Sequence, residues 1–311
     1  MPMPSASEIS AWVARETERR SRLSVPAFAG GVLYLLSGII ISSTLKGAPT
    51  VGLLQGLEPA LSGVANPAVS PRAGEVRFIS HHTFALITGS TIAAIAIIAL
   101  TLVLVLLVDA TRFRRPATSA RIRPLVIFGG SAVALVSIGH QIVSAIATHH
   151  FAVGHDFSNH AVDLALTKGT ANTISDYLDL LAGLALAAGM IAAMVGAMRV
   201  GLLTRWMGVI GILTGVLILL PIGGATLELV PSFWLVAMGL LYAGRWPNGE
   251  PPAWPTGEAR PWPSQADLRA SRRAGAGKVL TTTGADVAPA PAQPGANGSS
   301  RKRRRKRGAR G

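Results

Sequence analysis

The residues best suited to chemistry are histidines and aspartates in the middle of the chain. His140 lies on the polar face of an otherwise apolar segment, and Asp176 and Asp179 are three residues apart, a spacing that puts them on one helix face. His149 and His150 lie between these positions. Imidazole and carboxylate groups together suit divalent metals such as Zn²⁺, Ni²⁺ or Cu²⁺. These five residues are therefore a candidate metal site, or the lining of a transport pathway.

A structural interpretation competes with the metal site, and we favour it. Polar side chains around His140 can hold neighbouring helices together inside a membrane, and aspartates near a helix start suit the positive end of its dipole. The sequence has no HExxH or other tight ligand spacing, no phosphate-binding loop, no dinucleotide-binding glycine motif and no GxSxG elbow. We therefore expect a non-enzymatic protein without a resident cofactor, with a divalent metal as the alternative.

The elements that carry these side chains are long and uncharged. Residues 83–108 contain no Asp, Glu, Lys, Arg or His, and this stretch of 26 residues exceeds the ~20 that a helix needs to cross a bilayer. Only 14% of the chain is charged, whereas soluble domains carry about 25%. The pattern predicts an all-α membrane protein, a bundle within 23–245 of six transmembrane helices at about 23–45, 83–108, 124–148, 177–198, 206–223 and 227–244.

The distribution of basic residues predicts the orientation of the six spans. With the N-terminus inside the cell, the inner segments hold 25 of the 29 lysines and arginines and the outer loops hold four. Such an excess on the cytoplasmic side is what the positive-inside rule describes. We therefore expect a multi-pass plasma-membrane protein with both termini in the cytoplasm. The net charge of +14 then reflects topology more than a nucleic-acid-binding surface.

Both ends of the chain are polar. Residues 1–22 predict a short helix, which is either amphipathic and on the cytoplasmic membrane surface or frayed and solvated. The proline- and glycine-rich tail 246–311 predicts disorder. The tail opens with repeated Trp-Pro pairs at Trp246, Trp254 and Trp262. It ends in a basic run formed by Arg301, Lys302, Arg303, Arg304, Arg305, Lys306 and Arg307.

The tail suggests its partners by charge and composition. Each base near an anionic leaflet contributes up to ~1 kcal/mol of attraction, so we expect the basic run to bind anionic lipid of the inner leaflet. The Trp-Pro pairs fit an interfacial anchor, with docking of a protein partner as the second interpretation. Nucleic acid is not the expected partner, because no folded RNA-binding motif accompanies the charge.

Three stretches together resemble a known group of proteins. They are Asp109-Ala-Thr-Arg112 with Arg114-Arg115-Pro116, the segment 198–208 (MRVGLLTRWMG), and Gly244-Arg-Trp-Pro247 leading to Pro252-Ala-Trp254. They resemble multi-pass membrane proteins of high-GC Gram-positive bacteria, a group with no assigned activity. The resemblance covers the membrane bundle and the first Trp-Pro pairs, and it implies a bacterial plasma membrane without supplying any site residue.

The leading functional hypothesis is a structural or accessory membrane protein whose basic tail engages anionic lipid or a partner. The alternative is a small transporter or metal-binding membrane protein that uses the histidines and aspartates on the outer side. A transporter is expected to show similar halves and helices broken at mid-membrane, and the sequence shows neither clearly.

Overall fold

The computed structural model describes residues 6–61, 63, 69–219, 224–247 and 249–262, which form helices joined by loops. The elements are α1 (Ala6–Leu45), α2 (Leu53–Leu61), α3 (Ala73–His81), α4 (Thr83–Arg114), α5 (Ile122–Val153), α6 (Asn159–Asp163) with a π-helical turn (Leu164–Lys168), α7 (Thr170–Val200), α8 (Arg205–Leu219), α9 (Gly224–Tyr242) and α10 (Ala253–Thr256).

Four helices are long and apolar enough to cross a membrane: α1, α4, α5 and α7. Two further apolar helices, α8 and α9, are shorter, with 15 and 19 residues. The all-helical, membrane-type fold expected from the sequence is therefore confirmed at the level of four span-length helices. The count of six spans stays a prediction, and most of the tail, 263–311, lies outside the described residues.

Helix α4 lies in the middle of the bundle. It packs against α1, α5 and α7. Helix α5 also packs against α7, and further contacts run from α1 to α9, from α9 to α8 and from α8 to α7. In its most apolar window 61% of the residues are buried, more than in any other span-length helix of the described chain. The uncharged stretch 83–108 is apolar all round because this helix has neighbours on several sides.

The outer faces of the bundle carry exposed apolar side chains. Val25 on α1, Leu135 on α5 and Leu181 on α7 are all more than half exposed. Exposed apolar side chains on helices of this length are what a bilayer would cover.

Small residues set the spacing between α5 and α7. A Cβ atom added at Gly129 would lie 2.4 Å from the backbone nitrogen of Leu186, so only glycine fits there. The two helices approach each other backbone to backbone at this point, as small residues allow in membrane bundles.

Helix α1 differs from the sequence prediction. A separate amphipathic helix was expected within 1–22, followed by a span at 23–45. Instead, one helix of 40 residues runs from Ala6 to Leu45, with Pro26 inside it. Its length is about 60 Å, twice the ~30 Å thickness of a bilayer core. The N-terminal half of α1 is therefore part of the same helix, and it packs against other parts of the chain.

The two long loops pack together at one end of the bundle. Ala73 and Val76 of α3 form a small apolar cluster with Phe151 and Val162. The backbone nitrogen of Ser70 donates to the carbonyl of Phe157 at 2.7 Å, which joins the first loop to the second. We call this the loop end, and the opposite end, which carries the arginine-rich segments, the basic end.

Candidate functional site at the basic end

The most highly connected polar group of the basic end is Arg114, the last residue of α4. Its Nη1 and Nη2 atoms donate to the two carboxylate oxygens of Glu16 on α1, at 2.8 and 2.7 Å. The Arg114 side chain is fully buried and that of Glu16 is 4% exposed. This two-pronged geometry is the strong form of an ion pair, and burial makes each partner depend on the other.

Arg114 also holds the chain that follows α9. Its Nε donates to the carbonyl of Ala253 at 2.9 Å, and Nη2 reaches the carbonyl of Trp254 at 3.4 Å. Nη1 further donates to Ala110 within α4 at 3.0 Å. Arg114 therefore joins α1, α4 and residues 249–262, which we call the strap.

Trp254 is the apolar anchor of the strap. It is 3% exposed, and its indole Nε1 donates to the carbonyl of Leu202 at 2.9 Å. The ring meets Tyr242 edge to face, with 6.0 Å between centroids, and the guanidinium carbons of Arg20 and Arg114 lie 4.8 and 5.5 Å from the Trp254 centroid. Two cations over one aromatic ring, together with a satisfied indole N–H, fix this side chain in place.

A second ion pair fastens the start of the strap. Arg20, one helical turn along α1 from Glu16, pairs with Glu250 and is itself buried. Both pairs therefore use the same face of α1. The Arg20–Glu250 pair ties the strap to that face directly, whereas the Glu16–Arg114 pair ties it indirectly, through the bonds of Arg114 to the strap carbonyls.

The far end of the strap is attached through its backbone. The amide of Arg260 donates to the carbonyl of Val200 at 3.0 Å, immediately after α7 ends. Gly201 takes a left-handed conformation there, with φ of 83°, and a Cβ atom at this position would lie 1.9 Å from the Arg260 carbonyl oxygen. Only glycine allows both the backbone turn and the approach of the strap.

The strap corrects the expectation that disorder begins at residue 246. Trp254, expected to face lipid or a protein partner, is buried against the protein's own helices. Trp246 is half-buried and packs on the same core, and Trp262 is half-buried as well. The first Trp-Pro repeats therefore close the basic end of the bundle. The basic run 301–307 lies outside the described residues.

The candidate metal residues lie toward the loop end. His140 on α5 and Asp176 on α7 do meet, with 3.5 Å between Nδ1 and Oδ1, and their side chains are 40% and 60% exposed. Asp179, His149 and His150 are exposed. Within the described part of the chain no three His, Asp or Glu side chains come together in a metal-holding group. The pair His140–Asp176 can carry an ion pair when the imidazole is protonated.

A second titratable group of the loop end is held by local hydrogen bonds. The backbone amide of Ser158 donates to Oδ1 of Asp156 at 2.9 Å. This bond, helped by the Ser158 hydroxyl, lowers the pKa of Asp156 below its ordinary value. Asp156 also lines a cavity with His150 and His155. The carboxylate is therefore ionised at neutral pH.

Comparison with known proteins gives no relative: no protein-family model, no curated protein and no solved structure matches the chain. The resemblance to membrane proteins of high-GC Gram-positive bacteria stays a prediction.

The buried pairs at the basic end were not predicted from the sequence. A signal for them exists in α1, where Ile9, Val13, Glu16 and Arg20 follow one another at helical spacing. Ile9 and Val13 both lie within contact range of the strap at Gly257, and Glu16 and Arg20 continue the same face. Charged residues that continue an apolar helix face are compatible with a buried ion pair and equally with the solvated edge of that face. Their partners cannot be identified from the sequence, because Arg114 and Glu250 lie roughly 100 and 230 residues away from them along the chain.

Proposed function

We propose that this protein is a non-enzymatic, six-span scaffold of the bacterial plasma membrane that presents its basic tail to anionic lipid of the inner leaflet. The single observation that carries the proposal is the attachment of the strap to the basic end of the bundle. Because Arg114 and Trp254 fix residues 249–262 on the end of the bundle, the chain beyond residue 262 starts from a defined position at the basic end.

The charge of the basic end supports an orientation in which this end faces the cytoplasm. The described residues there include arginines in the α4–α5 loop, at the α7–α8 turn and at the end of α9, such as Arg115, Arg205 and Arg245. Under the positive-inside rule this end faces the cytoplasm, and both termini with it. The basic run 301–307 is then on the same side of the membrane as the inner leaflet, where each base adds up to ~1 kcal/mol of attraction that salt weakens.

The proposal of six spans rests on α8 and α9 as a final hairpin. They are about 22 and 28 Å long at 1.5 Å per residue, slightly short of a ~30 Å core. A short apolar helix is accommodated by local thinning of the bilayer at modest cost. An odd number of spans would separate the strap from Arg114, which it contacts, so these bonds favour an even number.

The test measures whether vesicles that contain the protein capture added protein-free vesicles. Full-length protein is reconstituted into phosphatidylcholine vesicles, and binding of added vesicles containing phosphatidylglycerol is measured at low and high salt. We expect salt-sensitive capture that is lost when the seven basic residues at 301–307 are replaced by glutamine. Unchanged capture by this variant, or equal capture of pure phosphatidylcholine vesicles, contradicts the proposal. Capture of an RNA in place of anionic vesicles also contradicts it.

A second candidate function is binding or transport of a cation at the loop end. The observation that favours it is the His140–Asp176 contact between two helices of the bundle. Calorimetric titration of Zn²⁺ and Ni²⁺ into tag-free protein tests it. Micromolar binding that disappears in both His140→Ala and Asp176→Ala supports the site. Binding unchanged in both variants, or no binding, assigns the two residues to interhelical packing.

A further inference from the structure

A groove of about 500 Å³ runs between α1 and α9 near the basic end. Its walls come from Ser21, Ser24 and Val25 on α1 and from Leu240 and Arg245 at the end of α9. The groove is separate from the strap contacts described above, since neither Trp254 nor Arg114 lines it.

Close packing of α1 and α9 forms the floor of the groove. A Cβ atom at Gly239 would lie 2.8 Å from the backbone nitrogen of Phe28. The helices therefore touch backbone to backbone at Gly239, and the small side chains of Ala29 and Ala243 beside this contact leave an open trough. The trough is preformed by residue size and needs no movement to open.

The groove changes from polar to apolar along its length. Ser21 and Arg245 lie at the end nearer the arginine-rich segments, while Val25 and Phe28 are 72% and 47% exposed further along α1. This order, a hydroxyl and a cation followed by exposed hydrocarbon, matches the order of headgroup and acyl chain in one leaflet of a bilayer.

Arg245 differs from the other arginines near this face. Arg20 pairs with Glu250 and Arg22 with Glu18, whereas no carboxylate of a described residue lies within ion-pair distance of Arg245. An exposed guanidinium can take a phosphate through two parallel hydrogen bonds. Basic pockets between spans on the cytoplasmic side are known to hold anionic lipid headgroups.

We propose that this groove binds one anionic glycerophospholipid, with its phosphate on Arg245 and Ser21 and one acyl chain along Val25, Phe28 and Leu240. The proposal rests on the membrane placement in the proposed function, and it is independent of the basic tail. The groove would hold this lipid beside α1 and α9, near the point where the chain leaves α9 and leads into the strap.

The test uses the absence of cysteine from the chain. A full-length Ser24→Cys variant carries one thiol, in the wall of the groove, and its maleimide labelling rate is measured in micelles with phosphatidylglycerol or with phosphatidylcholine. We expect phosphatidylglycerol to slow labelling at least about threefold and phosphatidylcholine to have little effect. Adding Arg245→Gln should abolish the protection.

Matched controls separate this groove from general charge effects. Arg205→Gln removes one exposed arginine at the same end but on α8, and it should leave the protection intact. A Ser119→Cys variant, whose thiol lies in the exposed α4–α5 loop, should show no lipid-dependent protection. Ala243→Leu, which fills the trough, should reduce the protection as Arg245→Gln does.

Three results would overturn the proposal. The first is equal protection of the thiol by both lipids, and the second is an equal loss of protection in the Arg245→Gln and Arg205→Gln variants. The third is protection that rises with protein concentration in the absence of phosphatidylglycerol. The last result would assign the groove to a second copy of the chain. The glutamine-substituted tail variant should keep the protection even where it loses vesicle capture, so the two proposals fail separately.

Discussion

Arg114 and Glu16 lie 98 residues apart in the sequence and form a two-pronged, fully buried ion pair. This contact joins α1 to α4 at the end of the bundle where α9 also ends. The same guanidinium binds the carbonyl of Ala253, so the pair also decides where the strap lies. One residue at the end of the most apolar span-length helix thus organises the polar chemistry of the basic end.

Removal of one partner of this pair should strongly lower the stability of the folded protein. Arg114→Met leaves the Glu16 carboxylate buried without a counter-ion, and we expect a loss of about 3–5 kcal/mol in the free energy of unfolding. The measurement is a denaturation titration in detergent. The control is Arg22→Met, which breaks the exposed pair with Glu18 and should change the free energy by less than about 1 kcal/mol. Equal effects of the two changes would show that the Arg114 pair is not buried.

The indole hydrogen bond of Trp254 should be measurable separately from its packing. Trp254→Phe keeps an aromatic ring but leaves the Leu202 carbonyl without its donor, and we expect a loss of about 1–3 kcal/mol. The same denaturation titration measures it. Trp246→Phe is the control, since the Trp246 indole makes no hydrogen bond to the residues that the structure describes. A larger effect at Trp246 would contradict the placement of Trp254 as the anchor.

Two glycines with left-handed backbone provide a matched test of strap attachment. Gly201 and Gly244 have φ of 83° and 70°, so alanine should add about 1–2 kcal/mol of backbone strain at either position. At Gly201 the new Cβ would also collide with the Arg260 carbonyl, whereas nothing lies within 4 Å at Gly244. The glutamate-specific protease Glu-C should therefore cleave after the exposed Glu258 faster in Gly201→Ala than in Gly244→Ala, as followed by mass spectrometry. Equal cleavage rates would mean that the strap end does not contact Gly201.

The orientation of the bundle can be tested with single thiols. Ser119→Cys places a thiol in the α4–α5 loop at the basic end, and His155→Cys places one in an exposed loop at the opposite end. In intact cells a membrane-impermeant maleimide should label the His155→Cys variant only. After the cells are opened, it should label both variants. Labelling of the Ser119→Cys variant alone in intact cells would reverse the proposed topology.

The sequence by itself determined the helical membrane-type fold, because that information is local. An uncharged run such as 83–108 has no stable place except a buried or lipid-covered helix, and the arginines after Val108 mark its polar end. Periodicity and charge within one segment were enough for this conclusion. They also identified His140 and Asp176 as polar residues of two neighbouring spans, which the structure brings to 3.5 Å.

Only the tertiary structure decided how the ends of the chain are used. The Pro-rich composition of residues 246–262 predicts disorder when considered alone, because such a segment cannot bury enough apolar surface by itself. The fold supplies that surface: Arg114, Tyr242 and Leu202 come from three separate elements and enclose Trp254. Partners separated by about 50 to 230 residues leave no periodic signal, so the strap and its ion pairs become visible only when the helices are assembled.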